Sequence, residues 1–157
     1  MKLNGIRVEP PQPQPMVLVK GANEYVFWFR VVQTSEFDEF QTYCPKPKAK
    51  FKTPPKGKGF YDEEDPKYIK AINEWNLQYL HFRFLKSISA TEGLEWETVK
   101  LEDCSTWSNW EDELLGAGFA QYEVNLLFNK AQSTQSLTAE MIEEATASFL
   151  ARQEGKR

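Results

Sequence analysis

The sequence is poor in the residues from which active sites are usually built. It has one histidine, His81, and two cysteines, Cys44 and Cys104, 60 positions apart. A structural zinc site needs four nitrogen or sulfur ligands at close spacing, and a disulfide framework needs an oxidising compartment. Neither condition is met, so both cysteines read as ordinary thiols, and no metal or cofactor is expected. His81 lies in "YLHFRF", among core-type aromatics and without a Ser or Cys nucleophile beside it. It lacks the base, nucleophile and orienting partner of a catalytic constellation, so no catalytic residue is assigned and no enzyme is expected. Long apolar runs are missing too: nothing approaches the ~20 residues of a spanning helix. The opening "MKLNGIRVEPPQPQP" has no apolar stretch of signal-peptide length. A cytoplasmic protein without membrane contact is the expectation.

The acidic clusters are equally uncommitted. "DEED" at 62–65, "EDE" at 111–113 and "EE" at 143–144 lack the alternating oxygen ligands and turn glycine of a calcium loop. Glu111, Asp112 and Glu113 suit the first turn of a helix, where the backbone dipole favours negative charge. "KGKG" lacks the lysine–Ser/Thr ending of a phosphate loop.

Aromatic side chains, by contrast, are abundant: 5 Trp, 6 Tyr and 11 Phe within a chain that is 41% hydrophobic. That is enough apolar surface for a real core. "PPQPQP" forbids helix and favours an extended path. "MVLVK" and "YVFWFRVV", flanking "GANE", read as a hairpin with Gly21 and Asn23 in its loop. The second run is apolar on both pleat faces, which predicts a strand covered on both sides. "TSEFDEFQTYC" reads as a short helix capped by Thr34 or Ser35, with Phe37, Phe40 and Tyr43 on one face and Pro45 at its end.

Asp65 and Pro66 form a strong helix start, and the pattern runs to about Ile88. Tyr68, Ile72, Trp75, Tyr79 and Phe82 make one stripe. Leu77, Leu80, Phe84 and Ile88 make a second, nearly opposite one. Either the helix is central, with the sheet on one side and later helices on the other, or the second stripe is a partner site. The criterion is whether the chain can cover Trp28, Trp75, Trp96, Trp107 and Trp110 by itself. After an irregular connector with Trp96, Val99 and Leu101, Ser108 and Glu111 have capping-box spacing. Gly116 or Gly118 closes that helix. A further helix carries Tyr122, Val124, Leu127, Phe128 and Ala131. The last one has Thr138 as cap, Leu137 and Ile142 as a hydrophobic staple, and Met141, Ala145 and Phe149 on an inner face. The expectation is one α+β domain: a small N-terminal antiparallel sheet of two or three strands, packed with a mainly helical C-terminal portion. Residues 1–44 hold the sheet and short helix, 45–64 a flexible basic loop, and 65–152 the helices.

That basic loop stands out. "CPKPKAKFKTPPKGKGF" holds Lys46, Lys48, Lys50, Lys52, Lys56 and Lys58, four prolines and no acid. The whole chain has 19 Lys+Arg against 23 Asp+Glu, so the charge of the rest is strongly negative. Single-strand nucleic-acid binders combine charge with several stacking rings, whereas from Lys46 to Lys58 there is one, Phe51, and the net charge opposes a polyanion at long range. The run reads as an extended, solvated strap rather than a nucleic-acid grip.

The stretch "LEWETVKLEDCSTWSNWEDELLGAGFAQYEVNLLFNKAQSTQSLTAEMIEEATASFLA" resembles the C-terminal half of small proteins from tailed-phage and prophage tail gene clusters. "FWFRVVQTSEFDEFQTYCPKPK", a basic insert and "YIKAINEWNLQYLHFRFLKSI" precede it in the same order. This chain departs from the pattern at Cys104, after the acidic pair, and in "AQSTQSL". The resemblance implies a non-enzymatic tail assembly chaperone that binds the tape measure protein, in the host cytoplasm. Leu77, Leu80, Phe84 and Ile88 are the expected client contacts, and the six lysines an electrostatic tether adding effective concentration. A homo-oligomer is compatible with this reading. The competing classes are a structural tail or connector component and a nucleic-acid-binding or host-defence-blocking protein acting through the lysines.

Overall fold

The computed structural model describes residues 1–136 and 139–154, for residues 139–141 and 154 in the backbone alone. The architecture is α+β. β1 (Lys2–Leu3) and β2 (Ile6–Arg7) form a minimal hairpin around Asn4 and Gly5, with φ of 51° and 79°. β3 (Gln14–Lys20) and β4 (Asn23–Phe29) form the main hairpin, in the register Val17↔Val26. Gly21 stands at φ 61° in its two-residue turn, where glycine carries no Cβ penalty. α1 (Glu36–Tyr43) follows, then β5 (Lys50–Lys52) and β6 (Phe60–Asp62), α2 (Pro66–Ile88), α3 (Asn109–Gly116), α4 (Gln121–Thr134) and α5 (Ala139–Glu154). The described strands make three separate two-stranded sheets, not one of three strands.

The Asp65 side chain accepts from the Lys67 amide at 2.9 Å and starts α2 with Pro66 in its first turn. From Phe82 to Ile88 the helix is wrapped. Phe82 meets Phe40 of α1 and Trp107 on one side, while Phe84 meets Trp110 of α3, ring centroids 4.0 Å apart, on the other. Phe128 of α4 stacks on Trp110 behind it. The helix is therefore central in its C-terminal half. Phe84 and Ile88 are fully buried, which corrects their expected role as client contacts.

A part-buried polar knot ties α4, α2 and the end of β4 together. The Gln135 carboxamide accepts from Val32 N at 2.7 Å and donates to the carbonyls of Arg30 and Ala131. The hydroxyl of Ser87, fully buried, donates to the Arg30 carbonyl at 2.8 Å, and the Arg30 amide donates back to the Ser87 carbonyl. Beside it, the Glu36 carboxylate takes two hydrogen bonds from the Arg30 guanidinium, at 2.7 and 2.8 Å, and one from Gln33 N. Lys86 bridges Glu36 and Glu39. These groups seat α1 on α2.

Two local expectations change. Ser108 caps nothing with its side chain: a 3-10 turn at Cys104–Thr106, capped by Asp103, leads into α3, so Ser108 already has helical dihedrals. Ala145 and Phe149 of α5 face solvent instead of a core. The proposed staple and cap at Leu137 and Thr138 lie outside the described residues.

Candidate protein-binding surfaces

The main hairpin has one covered face. Met16, Leu18, Phe27 and Phe29 turn inward, onto α2 and α4. The alternate residues turn out, because successive strand side chains point to opposite faces. That outer face is apolar: Val17 is 49% exposed, Val19 62%, Val26 42% and Trp28 40%. The expectation that β4 would be covered on both sides is thus corrected. The described helices α2 and α4 pack on its inner side, and Val26 and Trp28 remain open. Trp107 and Trp110 are buried and Trp75 and Trp96 half-buried, so Trp28 is the tryptophan that the described fold leaves out. The edge of β4 is closed at this point, since Thr91 Oγ1 accepts from Trp28 N at 2.7 Å and also donates to its carbonyl.

On α2, Leu80 is half-buried and Leu77 is 52% exposed. Leu77 lies along a shallow surface of about 480 Å³ with Ile69 and the N-terminal Pro66. The second stripe is therefore split: its lower half belongs to the core and only its upper half is accessible.

The lysine segment is a hairpin rather than a structureless strap. Phe51 pairs with Tyr61 across β5 and β6, and their rings meet edge-to-face at 5.3 Å. A Cβ on Gly59 would meet the tip of the Phe51 ring, so a larger residue there would push that exposed ring aside. Lys52 pairs with Asp62. Lys46 lies over the Trp75 ring at 5.8 Å, and the indole N–H of Trp75 donates to the Cys44 carbonyl at 2.8 Å, fixing the root of the segment. Lys48, Lys50, Lys56 and Lys58 are exposed.

A cleft that sequence reading did not anticipate opens past the C-terminal end of α2. It measures about 860 Å³ and has Tyr25, Phe27, Leu94, Trp96 and Phe119 among its walls. Glu95, Glu97 and Asp112 stand exposed around it. Glu113 serves the architecture: its carboxylate accepts from the amides of Glu97, Thr98 and Val99 and from the Thr98 hydroxyl. Burial pushes its pKa up, but these four donors outweigh burial and hold it below the ordinary carboxylate range. Lys20, near Phe119, is paired with Glu123 at 3.1 Å. The signal in the sequence was a charge imbalance: from Thr91 to Glu113 there are eight carboxylates and a single cation, Lys100.

His81 and the two cysteines make contacts within the fold. His81 Nδ1 accepts from the Trp110 indole N–H at 2.9 Å, and burial lowers its pKa against the opposing pull of Glu111. Cys44 and Cys104, far apart in sequence, are brought together. Burial, with the neighbouring Cys104 thiol, pushes Cys44 up to about 12, so it stays a thiol. Among the described residues no three His, Cys, Asp or Glu side chains gather as metal ligands, and no helix is long and apolar enough to cross a membrane. Comparison of the chain with protein-family models, curated proteins and solved structures finds no match.

Proposed function

We propose that this chain is a non-enzymatic assembly chaperone or adaptor of a phage tail, acting in the host cytoplasm, and that its client is an amphipathic helical protein. The tape measure protein is the client that the sequence resemblance implies. The observation that carries the reading is the open apolar ladder Val17, Val19, Val26 and Trp28 on the outer face of the main hairpin. Exposed contiguous apolar surface of this kind marks interaction sites in folded proteins. A helix laid along the hairpin covers both strands at once, because neighbouring strands lie ~5 Å apart and a helix with its side chains is ~10 Å wide. Leu77 and Ile69 on α2 offer a second apolar contact.

The test is co-expression with a tailed-phage tape measure protein, followed by affinity capture at low and high salt. The wild-type chain is expected to retain the client at both salts, and the double variant V17K/W28K to lose it while keeping its circular dichroism spectrum. Equal retention by the variant, or no retention by the wild type, overturns the reading.

A further inference from the structure

Two charge concentrations of opposite sign stand at different ends of α2. The lysine hairpin is rooted at Trp75, through the Cys44 carbonyl and Lys46. The acid-rimmed cleft begins beyond Ile88, and no residue of the hairpin lines it. Thirteen helical residues separate the two landmarks, about 20 Å at 1.5 Å per residue. Each surface is complementary to the other in more than charge. The hairpin presents Phe51, Phe60 and Tyr61, all exposed, beside its free lysines. The cleft presents aromatic walls behind carboxylates, which suits both ring contact and cation–π contact.

We propose that the lysine hairpin of one copy docks into the acidic aromatic cleft of a second copy, giving head-to-tail self-association. The occupant is a second copy because the chain itself carries the basic, aromatic element that the cleft is built to receive, held at a distance from its own cleft. Two different patches meet in such a contact, so it is heterologous. Each docked pair leaves one hairpin and one cleft free, and the assembly grows to a ring or an open chain. The inference does not depend on the client-binding face, since Val17 and Trp28 belong to neither patch.

Sedimentation velocity of three proteins tests it: wild type, a hairpin variant (K48Q/K56Q/K58Q) and a cleft variant (E95Q/E97Q/D112N), neutral so that the two altered patches do not attract each other. All six substituted side chains are exposed, so circular dichroism should be unchanged in both variants. Wild type should form concentration-dependent species larger than a monomer in 50 mM salt. Its apparent dissociation constant should weaken about tenfold or more in 500 mM salt, where screening shortens to a few ångströms. Each variant alone should remain monomeric. An equimolar mixture of the two should form a one-to-one complex and nothing larger, because one partner keeps only a working cleft and the other only a working hairpin. A monomeric wild type at low salt overturns the proposal, as does self-association that survives in the hairpin variant or a mixture that stays monomeric. Binding of the hairpin to RNA with a monomeric wild type would also overturn it, by giving the lysines a different partner.

Discussion

Replacing Glu36 by glutamine removes a charge whose contribution can be worked from the geometry. The Arg30 guanidinium, bonded through both nitrogens, holds this carboxyl at about 2 against an ordinary value of 4.5; burial opposes it, while Gln33 N and Lys86 assist. At 1.36 kcal/mol per unit the shift corresponds to roughly 3 kcal/mol. Solvent reaches part of the pair, since the Arg30 side chain is 29% exposed, so screening reduces the expected loss to about 2 kcal/mol. The pKa is depressed in the folded state, so this stability is complete above 4.5 and disappears as the pH falls towards 2. Urea unfolding followed by tryptophan fluorescence should show E36Q less stable than wild type by about 2 kcal/mol at pH 7. The gap should shrink steadily below pH 4.5, because the unfolded wild type then takes up a proton that the folded one refuses. Comparing the two proteins at each pH cancels the other depressed carboxyls, among them Asp103, Glu113 and Glu123. A gap that stays constant down to pH 3 would mean that E36Q acts through packing. No gap at pH 7 would refute the role given to the Arg30–Glu36–Lys86 cluster.

Two further outcomes separate core from surface. F84A removes a fully buried ring packed against Trp110 and should cost ~3–5 kcal/mol, whereas L77A, half in solvent, should change stability by under ~0.5 kcal/mol; thermal unfolding of both decides it. H81N keeps an acceptor for the Trp110 indole but removes a titratable ring. As pH falls below the ordinary histidine value, the unfolded wild type binds a proton that the folded imidazole resists, so wild-type stability should drop between pH 7 and pH 5. H81N should show a flatter profile in thermal midpoint over that window, and an identical slope would contradict it.

What the sequence announces and what it hides divide along local and distant contacts. Asp65 and Pro66 mark the start of α2 because the cap is made two residues away, with Lys67 N. Gly118, at φ 92°, follows α3 as a helix-closing glycine should. The fate of the second stripe on α2 was not legible, because what covers Phe84 is Trp110 and Phe128, on helices whose docking no periodicity reports. For β4, apolar residues on both pleat faces predict cover on both; Val26 and Trp28 look like core residues in the sequence, although the described helices that pack on β4 lie on its other side. Ser108 and Glu111 have the right spacing for a cap, but spacing does not reveal that a preceding turn makes Ser108 helical already. The cleft left only a compositional trace, the run of carboxylates after Thr91. Its aromatic walls come from β4, the 94–98 loop and the end of α3, three places that only folding unites.

The last helix has a consequence of its own. Every described side chain of α5 from Ile142 to Gln153 is exposed, and Ile142 and Phe149, seven positions apart, lie on one helical face. An isolated helix of 16 residues is marginal in water, because nucleation is costly and little burial repays it. Most of the entropy of ordering α5 is therefore spent when its apolar face is covered. Such a segment gains reach in exchange for tightness: it can engage a passing surface early in an encounter, and it releases that surface readily when its helix melts.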